Sequence, residues 1–431
     1  MRYDRFAAFA AGSLLLGTAG CDGLLDVSDP QRYTSEDLDN ALEAVASGVE
    51  GDLYVTMDQF VIYQGLLGDE FAHTGTWSGY DDIDHGRFTY SNHNAEGNMG
   101  EMLRTRWFAG DAEERFKRVM GEAEAASSPL TLQVQTTAAM ADMLLGMMFC
   151  EAPAEPSGPA VPYTEILAQA EQEFTRALTT AQSIGSEEWA LVNHAGRARV
   201  RLYLGDYSGA ESDAGQIPDG WVKYADFSGN SGRQDNDVVQ LATRGNNTAA
   251  GLREKWWPMY DDATHTLRDP WTNEPDVRIP VWSDGTIAVD GVTVHYSQWK
   301  YQTIGDDIAM FDSEEMRLIE AEVLWQNDDL DGAMTKLNAL RTAAGLTPHG
   351  PTTDPDLVKQ YLLHERFAET FMEGHRVVDL RRLGELRNTF AAMGDPLRPA
   401  TRPSMFTMDD DEARDNPSIE DDAAARCLPT T

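Results

Sequence analysis

The chain has 431 residues, 42% of them apolar, and a formal charge of −38 at neutral pH. That length can bury a sizeable core, in one large domain or two intimate halves. The acidic excess disfavours binding to nucleic acid or, by charge alone, to an anionic membrane, because both demand a cationic surface.

The opening residues MRYDRFAAFAAGSLLLGTAGC read as an export signal: Arg2 and Arg5, an apolar run too short to span a bilayer, then small residues before a cysteine. Thr18-Ala19-Gly20-Cys21 resembles a bacterial lipobox, with Thr18 where Leu is usual. Residues 1–20 are therefore expected to be a signal peptide, Cys21 a lipidated anchor and residues 21–35 a tether. Ordinary cleavage, leaving Cys21 a plain thiol, is the alternative. No later stretch is long and apolar enough to cross a membrane, so membrane contact is expected through the lipid only. Cys150 and Cys427 then remain as a pair for one disulfide in an exported protein.

A first helix is predicted over Glu36–Met57, with Leu38, Leu42, Val45, Val49 and Leu53 on one side and Thr34 or Ser35 as its cap. From Gly65 to Gly97, Gly, His, Asn, Trp and Tyr interleave without period, which reads as a long functional loop. Helices follow over Met102–Ala126 and Leu130–Cys150, and the Met run of the second is read as core filling, not a metal or partner surface. A proline-rich loop leads to an amphipathic helix over Thr164–Gln182.

From His194, HAGRARVRLYLGDYSGAESDA can be laid over LIEAEVLWQNDDLDGAMTKL, with Ala198 meeting Ala321 and Gly209 meeting Gly332. That is a repeated helical pair of the tetratricopeptide kind. Between Ile217 and Asp312 the helical stripes vanish and tryptophans crowd together. Within this insert, VWSDGTIAVDGVTVHYSQWKY alternates around an Asp-Gly turn and predicts a small β-hairpin.

Beyond Ser313 come a helical hairpin and a third helix from about Asp356 to Gly374, carrying Glu365, Glu369 and Glu373. Paired carboxylates suit glycoside hydrolysis. The preferred reading is a charge-paired scaffold whose acids are answered by Arg366, Arg376, Arg381 and Arg382. From Phe390 onward the chain reads as coil, ending in an acidic, solvated tail over 409–431.

The ordered blocks SEEMRLIEAEVLW, LNALR, ERFAE and EGHRVVDLRRLG resemble the C-terminal signature of the SusD/RagB family of outer-membrane nutrient-binding lipoproteins. Asp69 and Glu70 fit that family's acidic pair closing the first helix, and Asp276-Val277-Arg278 and Lys300-Tyr301 fit two further positions. The resemblance implies a mainly α fold: tetratricopeptide-like helical pairs as a curved scaffold over residues 36–408, with 217–312 as an irregular, ligand-facing insert. It further implies a lipid-anchored, outer-membrane, surface-facing receptor. Such a receptor would bind a soluble nutrient, foremost an oligosaccharide, and deliver it to a SusC-type TonB-dependent transporter, with no cofactor and no catalysis of its own.

No nucleophile elbow, phosphate loop or metal-ligand spacing occurs in the chain. What does occur is aromatic rings in loops that also hold Asp, Asn and His. Pyranose C–H faces stack on such rings while hydroxyls bond to the polar groups. Trp77, Tyr80, Trp256, Trp257 and Tyr260 are the candidate platform, and Asp69, Asp81 and Asn92 the candidate polar partners. The competing reading buries these rings beneath the loops to hold them together. Two other function classes remain: an exported hydrolase using Glu365/Glu373 or Asp81/Asp84, and a periplasmic tetratricopeptide-type assembly scaffold.

Overall fold

The computed structural model describes residues 33–87, 92–155, 157–243, 248–393, 402–408 and 410–419. Cys21, Cys427, the signal segment and the end of the expected tail lie outside these. Contacts divide the chain after Leu42. In the short first unit, α1 (Ser35–Asp39) is closed by a capping box: Thr34 Oγ1 accepts from Asp37 N at 3.2 Å and Asp37 Oδ2 accepts from Thr34 N at 2.8 Å. The second unit begins at Glu43 and holds the rest of the described chain.

Its first helix, α2 (Leu42–Leu67), runs ten residues past the expected Met57. The segment DQFVIYQGLL carries apolar groups all round and is buried all round, so no stripe marks it in the sequence. β1 (Phe71–His73) and α3 (Ser78–Asp84) then structure the expected loop, and α4 (His93–Met120) starts nine residues early because Asn92 caps it. After α5 (Glu122–Ala125) comes α6 (Pro129–Met148), whose Met140, Met143, Met147 and Met148 are all buried, as core filling requires. The strands β2 (Glu151–Pro153) and β3 (Ala160–Pro162) form a ribbon leading into α7 (Tyr163–Ile184), α8 (Glu187–Leu204) and α9 (Tyr207–Ala214). Cys150 at the ribbon's start is disulfide-bonded.

The insert is closed at its base by β4 (Val222–Ala225), which pairs antiparallel with β10 (Ile308–Asp312). Between them lie α10 (Asp237–Ala242), β5 (Ala250–Leu252), a 3-10 turn over Glu254–Met259, β6 (Tyr260–Asp261), β7 (Thr266–Arg268), β8 (Pro275–Trp282) and β9 (Ser297–Gln298). β6 to β9 form an antiparallel sheet in chain order. The expected hairpin is the arm joining β8 to β9, held by pairing of Val281 with Gln298 and a bridge between Ile287 and Val294.

The scaffold resumes with α11 (Ser313–Gln326), α12 (Leu330–Ala343), α13 (Pro355–Glu369), α14 (Arg376–Arg382), α15 (Leu386–Ala392) and α16 (Asp410–Asp415). Helices adjacent in sequence pack on one another: α6 on α4 and α7, α7 on α8, α8 on α9, α11 on α12, α13 on both. The repeat is real at the atomic level. Asp206 accepts from Gly209 N at 3.1 Å, and Asp329 accepts from Gly332 N at 2.9 Å, with nearly identical cap backbones. This is the mainly α architecture with a small β insert.

Three expectations differ from the structure. α13 ends at Glu369, so Glu373 lies on a turn and not on the same helix face. That turn closes on Gly374 at φ +81°, where any Cβ would fall 2.4 Å from the Phe60 ring. The acids are also not answered by the neighbouring arginines. Glu365 takes Arg278 and Arg341, each at 2.7 Å, Glu369 takes Arg278 at 2.8 Å, and Glu373 takes Lys300 at 2.6 Å. Arg366 turns to Asp379 at 2.7 Å, Arg376 to Asp69, and Arg382 to Glu322. The pairing is long-range, tying insert to scaffold. Finally, Asn416 and Ile419 of the expected tail are buried, and Asn416 Nδ2 donates to Gly158 O at 3.0 Å.

Candidate functional site

The two irregular stretches meet. β1 and β5 pair antiparallel, with Phe71 opposite Leu252 and His73 opposite Ala250. The contact continues as Thr74 N bonds to Ala249 O at 2.9 Å, while Asp290 N of the hairpin arm bonds to Thr74 O at 2.8 Å. Gly75 permits this approach, since a Cβ there would sit 2.8 Å from that of Ala249. Beneath the strands, buried Arg253 donates to Phe71 O and to Asp84. The loop after α2 and the insert are thus one hydrogen-bonded face.

Rings crowd that face. Trp77 is 45% exposed and lies 5.5 Å from Tyr80, which is 6.0 Å from Tyr63 and 6.4 Å from His73. The arm beside them exposes Ile287, Val289 and Val292. At the arm's base Trp257 stacks on Tyr296 at 4.9 Å, and Tyr260 meets Tyr296 edge-on at 5.4 Å. Tyr260 Oη accepts from Ser283 N at 3.1 Å and lies 3.0 Å from His265 Nδ1. The run continues from His265 to Trp282 at 3.8 Å and to Trp299 at 5.4 Å. All six of these rings are partly exposed. Fixed, half-open rings bordered by hydroxyl and imidazole groups can stack on a sugar face and bond to its hydroxyls.

Trp256 does not join them. It is buried, stacks on Phe367 at 4.5 Å and 7°, and its Nε1 donates to Asp69 O at 2.6 Å. It lines a separate cavity of about 610 Å³ between the insert and α13–α15.

Of the polar candidates, two are structural. Asp69 is fully buried, with one oxygen 2.8 Å from Arg376 Nε and the other 3.0 Å from Arg376 Nη2 and 2.7 Å from Lys255 Nζ. Burial pushes its carboxyl up, but Arg376 and Lys255 overcome that and hold it well below the usual carboxylate range. Among the described residues, Glu70 beside it has no such partner at close range. Burial lifts it to about 7, against the lowering from Met372 N at 3.1 Å. Asn92 is the cap of α4, accepting from Asn94 N at 3.2 Å and Ala95 N at 3.3 Å, while its Nδ2 donates to Gly79 O at 3.0 Å. Only Asp81 remains part-exposed near Trp77 and Tyr80, shared with Arg87 and with His85 at 3.1 Å. Tyr296 and His265 were missed. Tyr296 hid within the strand alternation of the hairpin, and His265 sits at the turn from β6 to β7, where nothing marks a single histidine.

Neither carboxylate pair is free for acid–base work. Glu365 is fully buried between two guanidiniums, and Asp84 is buried against Arg253 and accepts from His73 N at 3.0 Å. Asp269, His364 and Glu365 bring three ligand atoms within 4.8 Å of one another. Arg341 Nη1 already sits there, donating to both carboxylates at 2.8 and 2.7 Å, so the cation these acids attract is the protein's own.

The SusD family model matches residues 292–420. Over that stretch the sequence is SusD-like. Solved structures agree along most of its length. A SusD superfamily protein from Bacteroides vulgatus matches with a TM-score of 0.71 at 15% identity, covering 89% of this chain and 98% of its own. A laminarin-binding SusD-like protein matches at 0.66 and 14%, covering 87% and 98%. A SusD-like carbohydrate-binding protein, also from B. vulgatus, matches at 0.61 and 14%, covering 80% and 83%. At such identities the likeness establishes the fold. No curated protein matches the chain by sequence.

Proposed function

We propose that this SusD-like chain is a lipid-anchored receptor of the outer-membrane surface. It holds a neutral glycan on the ring-bearing face and delivers it to a SusC-type TonB-dependent transporter. The observation that carries this reading is the hydrogen-bonded union of the two ring-rich stretches, with Trp77 standing open beside the hairpin arm. A net charge of −38 repels anionic polysaccharide, which favours an uncharged one. Structural relatives named for binding laminarin and carbohydrate support the class. Among the described residues no helix is long and apolar enough to cross a membrane, in keeping with an anchor at Cys21.

The test is calorimetry against laminarin, xylan, mannan, starch and an anionic pectin. One neutral polymer should bind, and Trp77→Ala should weaken it at least tenfold, since exposed aromatic anchors of this kind carry on the order of 2 kcal/mol. Binding to pectin alone, or equal affinity in the variant, overturns the reading. Release of the protein from membranes by Cys21→Ala tests the anchor. Co-purification with a TonB-dependent barrel from solubilised membranes tests the delivery.

A further inference from the structure

The geometry points to a second saccharide site, separate from the Trp77 face: the cavity between the insert and α13–α15, taking a small neutral mono- or disaccharide on the ring of Trp271. The inference goes beyond the receptor reading and stands on the cavity's own lining.

At about 610 Å³ the cavity is of the size that small-molecule sites occupy, roughly 300–1,000 Å³. Its two tryptophans differ in what they can offer. Trp256 is spent, covered by the stacked Phe367 and by Lys255 Nζ 4.5 Å from the ring centre. Trp271 is 38% exposed. It is also held rigidly, meeting His349, Tyr361 and His364 edge-on at 5.3, 4.9 and 5.2 Å. Its backbone is fixed too, for Asp269 accepts from Trp271 N at 3.1 Å and Thr272 N at 2.7 Å, and Asp269 is itself clamped by Arg341. A ring fixed from behind and open in front is a preorganised stacking surface, losing little entropy when a ligand arrives.

The charges of the lining name the ligand class. Arg376 is answered by Asp69, and Lys359 by Glu385 at 2.5 Å. Burial holds the His364 imidazole down at about 4, so it is neutral at physiological pH. Among the described lining residues no uncompensated cation is left to repay the desolvation of a carboxylate or phosphate, and the one further acid, Asp356, stays exposed to water at the first turn of α13. An uncharged ligand avoids that cost, and a pyranose ring brings an apolar face for Trp271 and hydroxyls for Gln360, Thr389 and the Lys359–Glu385 pair.

The experiment uses the full-length protein with glucose, galactose, mannose, xylose, maltose, cellobiose and laminaribiose as probes, followed by saturation-transfer NMR and calorimetry. At least one should bind. Trp271→Ala should weaken it tenfold or more, Gln360→Ala about threefold, and Trp77→Ala less than twofold. Gln360 is exposed, so its variant keeps the fold even if loss of Trp271 disturbs the packing of Tyr361. The proposal is overturned if no probe binds. It is also overturned if Gln360→Ala and a folded Trp271→Ala both bind as the wild type does, or if Trp77→Ala abolishes small-sugar binding. Polysaccharide titrations run in parallel keep this outcome distinct from failure of the Trp77 face.

Discussion

Replacing Asp69 by Ala separates a framework role from a ligand role. The side chain joins three segments: its own loop after α2, the insert through Lys255 at 2.7 Å, and α14 through Arg376 at 2.8 and 3.0 Å. With the carboxylate gone, Arg376 keeps its charge in a site where its remaining bond is to Leu363 O at 3.3 Å. Leaving one member of a buried pair uncompensated costs about 3–5 kcal/mol, out of a typical total of roughly 5–15 kcal/mol. Unfolding entropy of about 2.1 cal/mol/K per residue gives roughly 0.8 kcal/mol/K for a unit of this size, so Tm should fall by about 4–6 °C. Calorimetry reads this directly, and glycan affinity measured well below Tm should stay within twofold. The pH dependence has a definite sign. A folded pKa held below the unfolded ~3.9 stabilises above that value and is lost as pH falls through the folded one, so wild type and variant should converge in stability below about pH 4. An unchanged Tm together with lost glycan binding would refute the framework assignment and restore Asp69 as a ligand.

Glu365→Gln should lower stability by less, about 1–2 kcal/mol: Arg278 and Arg341 both lose a shared counter-charge but keep Asp276, Glu369 and Asp269, and burial, which raises the Glu365 carboxyl, favours the neutral amide. Wild type and variant should both fail to release reducing ends from any bound glycan, and release that vanishes in the variant would reinstate the hydrolase. Glu70, raised to about 7 by burial, works in the opposite sense to Asp69. Its native state holds the extra proton between the unfolded ~4.3 and about 7, so its contribution is complete below the former and lost as pH rises through the latter. Glu70→Gln should therefore match wild type near pH 4 and exceed it at pH 8, by up to ~3 kcal/mol. His349 and His364, both lowered to about 4, tilt stability the other way between about 4 and 6.5, so the difference between variant and wild type is the quantity to follow. A variant less stable at pH 8 would count against a neutral Glu70.

The buried ion pairs explain why the scaffold and the insert act as one framework. Arg278 of β8 reaches Glu365 and Glu369 on α13, Lys300 reaches Glu373, and Arg199 of α8 reaches Glu315 of α11 at 2.7 and 2.6 Å. Such pairs return little net stability, but each is costly to break, so they fix which segment sits against which. The ring-bearing face is therefore carried on a backing that resists local rearrangement.

Periodicity alone located the scaffold. The stripes of α7, α11 and α12, and the Asp-x-x-Gly turns opening α9 and α12, are local patterns that the backbone must obey wherever the chain goes. The last ten residues of α2 escaped because burial on every side erases the stripe, whereas α3 and the start of α4 are short polar stretches, rich in Gly, Asp and Asn, that carry no stripe. The site was legible only as a collection of residue types. Trp256 and Trp257 are neighbours in sequence, yet one stacks under Phe367 and the other on Tyr296. Asp69 and Asp81 read alike, yet one is locked between two cations and the other half-open. Whether a ring or a carboxylate serves a ligand or the fold depends on which distant side chain reaches it first, and that is decided only when β1 finds β5.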